Sequence, residues 1–121
     1  MKRNWDTIRD ILIKLEEKGN DKPYLSLNDF STETHANISY HIEILEESGI
    51  IKCNISKTMG NNINDFFALR LTWAGHELLD SIRNENIWNK TKNKFKTKGL
   101  DMTYDLVKSV ALKLTTELLQ N

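Results

Sequence analysis

The chain has a single cysteine, Cys53, in 121 residues, so no disulfide can close within it. A reducing compartment is the corresponding expectation. The three histidines, His35, His41 and His76, are scattered, and with one thiol they lack the spacing of a zinc site. Excess charge of either sign is also missing. Lys plus Arg number 17 and Asp plus Glu number 17, which removes the argument for nucleic-acid binding from a basic chain and leaves only local patches. No apolar run nears the ~18 residues that span a bilayer, and Met1 to Asp6 carries charge with no apolar run behind it. The expectation is a soluble, cytoplasmic protein. No phosphate loop, nucleophile elbow or paired-carboxylate motif is present. His76-Glu77 alone is a poor catalytic signature, and Cys53 is expected to pack as a small apolar residue. Hence no enzymatic activity, cofactor or metal is expected.

What is present is a regular order of elements. Trp5, Ile8, Ile11, Leu12 and Leu15 recur at helical steps behind Asn4 or Asp6, and Gly19-Asn20 and Pro23 end that helix. Tyr24 to Leu27 alternates like a short strand. A helix is predicted from about Thr32 to Ser48, with Ile38, Ile42 and Leu45 inward and Gly49 as its left-handed stop. His41 is expected to make a buried hydrogen bond at the junction of this helix with the wing. Ile50 to Ser56 and Phe66 to Leu71 suit two strands joined by an Asn/Gly-rich loop. Thr72 caps a helix in which Trp73, Leu78, Leu79 and Ile82 face inward, and Gly75 marks a close approach to a neighbouring element. Two further helices cover about Glu85 to Lys98, with Trp88, Thr91 and Phe95 on one face, and Thr103 onward.

This order describes a mainly α fold with a small β-hairpin wing. It is winged-helix-like, with two extra C-terminal helices. Only ~25 residues lie between the first helix and Gly49, so the second helix of a helix-turn-helix is expected to be missing or reduced to a turn near Asn28 to Ser31. The domain reading is a winged-helix-like domain over 1–84 and a helical extension over 85–121 packed on it.

Three blocks carry a resemblance. They are Lys2-Arg3-Asn4-Trp5-Asp6-Thr7-Ile8-Arg9, then His41-Ile42-Glu43-Ile44-Leu45-Glu46-Glu47-Ser48-Gly49-Ile50-Ile51, then Leu71-Thr72-Trp73-Ala74-Gly75-His76-Glu77-Leu78-Leu79-Asp80-Ser81-Ile82-Arg83. Together with Trp88, Lys90 and Lys92 they resemble a family of small uncharacterised proteins of phages and prophages, labelled a domain of unknown function. The resemblance covers nearly the whole chain. It implies a winged-helix-like fold and a mobile-element origin, with a host cell's cytoplasm as the location. It implies no activity and carries no site residues.

Charge decides how the fold is read functionally. No Lys or Arg lies between Lys22 and Lys52, whereas the helix from Thr32 to Ser48 carries Glu33, Glu43, Glu46 and Glu47. Lys and Arg supply most non-specific DNA affinity, and carboxylates facing phosphate repel it. Asn37, Ser39, Tyr40 and His41 are the base-contact candidates, without cations to anchor them. The four glutamates are accordingly the candidate protein-partner face. Candidate nucleic-acid contacts lie elsewhere: Lys52, Lys57, Asn61 and Asn62 on the wing, and Lys90, Lys94 and Lys98 at four-residue steps on the fourth helix. The last helix is apolar around more than half its circumference. Leu106, Val110, Leu114 and Leu118 are the candidate homodimer contacts. The favoured function is a phage- or prophage-type regulatory or interaction protein that binds another protein. The alternative is a winged-helix DNA-binding regulator using the wing and the Lys-rich helix.

Overall fold

A computed structural model describes residues 1–60 and 63–120, the Asn64 side chain excepted. Its elements are α1 (Trp5–Glu17), α2 (His35–Glu47), β1 (Ile51–Lys57), β2 (Ile63–Leu71), α3 (Trp73–Ile82), α4 (Glu85–Lys98) and α5 (Tyr104–Leu119). Single 3-10 turns occupy Leu27–Asp29 and Thr32–Thr34. The fold is mainly helical with one two-stranded antiparallel hairpin, a winged-helix-like arrangement. The two short turns stand where a second helix would be, so that helix is reduced, as the short spacing requires. The chain forms two compact units, Met1–His76 and Glu77–Asn121.

In the first unit, α1 packs on α2 and β2, and α2 packs on both strands. Asn4 caps α1, its Oδ1 accepting from Thr7 N at 3.0 Å. All five apolar residues of the α1 stripe are buried. At ~1.5–3 kcal/mol for each large side chain taken from water, that stripe alone contributes on the order of 10 kcal/mol before chain entropy is counted. Ile38, Ile42 and Leu45 of α2 are buried opposite it. Gly49 ends α2 at φ 78°, with Gly49 N donating to Glu46 O and Ile50 N to Leu45 O. This Schellman turn needs a residue that tolerates positive φ.

The alternation over Tyr24 to Leu27 yields one bridge rather than a strand. Leu25 exchanges two hydrogen bonds with Ala68, at 2.9 and 2.8 Å. The ladder stops there because an aspartate, Asp65, takes its next donor, Leu27 N, while Ser26 N points away from β2. Ser26 N donates to Asp29 Oδ2 at 2.8 Å and Leu27 N to Asp65 Oδ1 at 3.1 Å. The Lys22 ammonium closes on Asp29 from the other side.

The hairpin leads into α3 through a tight contact. Thr72 Oγ1 lies 2.6 Å from Gly49 O and 3.0 Å from Ile50 O, and it accepts from Gly75 N at 3.1 Å. A Cβ on Gly75 would sit 2.2 Å from Ile50 O, which is the close approach that glycine signalled in a helix. Trp73 corrects the expectation made for it. It is 81% exposed, not packed inward. At 100° per residue it lies on the side of α3 opposite buried Ile82.

In the second unit, Asn84 caps α4, and Ile87, Trp88, Thr91 and Phe95 form its buried stripe. Thr91 Oγ1 donates to Ile87 O at 2.7 Å, so its burial leaves no hydroxyl unpaired. Gly99 ends α4 at φ 66°. Thr103 caps α5, which packs on α4 and buries Val107 and Ala111.

Candidate functional site: the outer face of α2 and the wing

In a winged helix the helix before the wing is the one that enters a groove. Here that helix is α2. Its buried stripe, Ile38, His41, Ile42 and Leu45, leaves Ala36, Tyr40, Glu43 and Glu47 pointing the other way, with Ser39 and Glu46 on the flanks. The first two turns of this face are small or aromatic, and the last turn is acidic.

The hairpin borders this face. A shallow concavity of about 380 Å³ is lined by Glu43, Glu46, Glu47, Cys53, Asn54, Ile55 and Lys57. A second, of about 360 Å³, is lined by Leu27, His35, Ala36, Ser39, Tyr40, Glu43 and Ile63. Glu43 is common to both. Its carboxylate accepts from Lys57 Nζ at 3.4 Å, each side chain being more than 40% exposed. One wing cation, Lys57, is therefore held by α2's own carboxylate. Glu46 and Glu47 stay exposed beside it, and Glu33 is exposed in the turn before the helix.

Two of the four base-contact candidates turn inward. His41 is fully buried. Its Nε2 accepts from Asn4 N at 2.8 Å and its Nδ1 donates to Asn37 O at 2.8 Å. The bond ties α2 to the start of α1, not to the wing as expected. Asn37 Nδ2 donates to Thr7 Oγ1 at 3.3 Å. The helical angle of His41, close to that of Ile38 and Leu45, is the sequence signal for this inward placement. Nor does His41 meet His76, which faces Glu16 at 4.0 Å.

Cys53 is half-buried, and its Sγ–H points to Asn54 O at 3.5 Å. Burial foremost, with the Glu46 charge adding to it against a Phe67 backbone bond, pushes its thiol up to about 11. Protonated at neutral pH, it is a weak nucleophile. Among the described residues no cluster of His, Cys, Asp or Glu is arranged to hold a metal ion. Among the described residues no helix is long and apolar enough to cross a membrane.

Of the candidate nucleic-acid contacts, Lys52 is exposed on β1 and Lys57 is paired as above. Asn61 and Asn62 lie outside the described residues. Lys90, Lys94 and Lys98 are exposed along α4. Of the candidate dimer residues, Leu106 and Leu118 are exposed and Val110 and Leu114 half-buried. Sequence reasoning missed Leu112 and Leu119 as the most exposed leucines of α5, at 65% and 80%. It also missed Tyr24, whose ring packs edge-on against Phe67 at 4.9 Å on the hairpin.

The sequence model of a family described as "Hypothetical protein (DUF2513)" matches residues 2–101. An uncharacterized protein of Haemophilus influenzae is 40% identical over 119 residues, covering 98% of this chain and 99% of its own. No solved structure matches the chain.

Proposed function

The chain belongs to the DUF2513 family, and from that premise we propose a small phage- or prophage-type regulatory protein that acts by binding another protein. Its binding surface is the outer face of α2 together with the adjoining wing. The observation that carries this reading is the Glu43–Lys57 pair. A helix set in the groove-reading position has no cation of its own, and the lysine beside it neutralises one of its glutamates instead of meeting phosphate. Glu46 and Glu47 remain to repel a duplex and to attract a basic protein surface. The phage or prophage origin is supported by the resemblance of the N-terminal, central and Leu71–Arg83 blocks.

Replacing Glu43, Glu46 and Glu47 together by Gln tests this. Were α2 against DNA, removing three carboxylates near phosphate would raise duplex affinity roughly fivefold or more at low salt. The protein-binding reading predicts less than a twofold change in a fluorescence titration with duplex DNA. A fivefold gain would overturn it.

The alternative is a DNA-binding regulator that uses the wing and the Lys-rich helix. The exposure of Lys52, Lys90, Lys94 and Lys98 supports it, while the Glu43–Lys57 pair weakens the wing's part. A homodimer through α5 is proposed alongside either reading. Leu106, Leu112, Leu118 and Leu119 leave much of that helix's apolar surface in water.

A further inference from the structure

α4 carries two rows of lysine with a stripe of amides between them. Its buried side is Ile87, Trp88, Thr91 and Phe95. At 100° per residue, Asn86, Asn89, Asn93 and Thr97 fall within about 80° of one another on the opposite side. All four are exposed. Lys90 and Lys94 flank that stripe on one side, and Lys92 and Lys96 flank it on the other. Lys98, in the last turn, lies at the angle of Ile87 and Thr91 and belongs to neither row. Lys92 is braced over the Trp88 ring at 5.5 Å from its centroid. Lys90, Lys94, Lys96 and Lys98 are exposed. Glu85 is the only acidic residue of the helix.

A solvated helix face has no need of this order. Lysines spread at random would interrupt the amides, yet the four outermost positions are all uncharged donors and acceptors. The pattern matches a helix lying in a groove with phosphates on both walls. A major groove of about 12 Å admits one helix. Residues at the bottom then meet base edges, for which Asn is suited, and residues on the flanks meet phosphates. A protein partner is a poorer fit, since no aromatic or aliphatic side chain on this face offers an anchor. A lipid surface fits less well still, because every apolar residue of α4 is buried. The deep, narrow major groove of duplex RNA does not admit side chains in this way.

We infer that α4 is a duplex-DNA-binding helix, with Asn86, Asn89, Asn93 and Thr97 toward the bases and the two lysine rows toward the phosphates. This rests on the α4 part of the DNA reading and is independent of the wing and of the protein-binding face of α2.

The test is a fluorescence-anisotropy titration of the full chain with a labelled random 20-base-pair DNA duplex from 25 to 200 mM salt. The expected result is binding whose log Kd against log salt has a slope of about 3 to 4, for about four phosphates neutralised. K90E/K94E/K96E is expected to weaken binding at least 30-fold at low salt with an unchanged melting temperature. K90R/K94R/K96R is expected to retain it. N89A/N93A is expected to leave the salt slope unchanged and to flatten the preferences seen in selection from a random duplex pool. No binding at 25 mM salt overturns the inference. So does equal or tighter binding to duplex RNA or to vesicles with 30% phosphatidylserine. Loss of binding in K52E/K57E with retention in the α4 triple variant also overturns it, while leaving the wing-based DNA reading standing.

Discussion

Single residues fix the joints of this fold. Gly75 has the least freedom, with Ile50 O 2.2 Å from where a Cβ would stand. Gly75→Ala has to move α3 off the start of β1, at a cost of about 1–3 kcal/mol. For a chain of this size a lowered melting temperature by several degrees is expected in a thermal scan. His41 is the second joint. His41→Leu keeps much of the volume but removes the acceptor of Asn4 N and the donor to Asn37 O. A loss of about 1–3 kcal/mol in urea unfolding is expected, since the two partners lose their bond in a buried site. Asp29 supplies the third. Burial raises its carboxyl, but Lys22, the Ser26 N–H and the charges of Lys22 and Lys14 outweigh it and hold it below its ordinary value. A carboxyl lowered in the folded state adds stability that is complete above its unfolded pKa and is lost as pH falls through the folded one. Asp29→Asn is therefore expected to narrow the stability difference between pH 6 and pH 3 in urea titrations at both pH values. An unchanged difference would show that the carboxylate plays no such part.

Among the elements, the stripes were legible and the side-chain interceptions were not. The five buried residues of α1, the core face of α2, and the bounds of α3, α4 and α5 follow from apolar spacing, Asn and Thr caps, and Gly stops. The strand at Tyr24 to Leu27 did not form because Asp65, 38 residues away, takes the Leu27 backbone donor that would have extended it. Nothing local in the sequence marks Asp65 for that task. The candidate site was partly legible. The acidic run on α2 and the lysines of α4 are plain from composition. The capture of Lys57 by Glu43 depends on how the hairpin folds back, 14 residues on, and was not. Trp73 was misplaced for a different reason: its angle on the helix gives the observed side, and apolar character alone does not. His41 is buried and hydrogen-bonded as expected, but its partner is the start of α1 rather than the wing, 37 residues back in the chain.

For the whole molecule, the proposed dimer turns on α5. Leu112 and Leu119 lie about 20° apart around the helix, and their exposure gives a second chain something to cover. L112E/L119E is expected to convert a dimer to a monomer in analytical ultracentrifugation at 10–100 µM, on the order of typical working concentrations, without loss of helical signal. A wild-type mass equal to one chain, 14.1 kDa, at every concentration would remove the dimer. The central claim is that the outer face of α2 meets a protein. It is tested most directly by placing a photo-crosslinking amino acid at Ala36, which is exposed on that face, and irradiating living host cells. The account predicts a discrete protein adduct that disappears when Glu43, Glu46 and Glu47 are changed to Lys. A nuclease-sensitive adduct, or a protein adduct indifferent to those three changes, would contradict it.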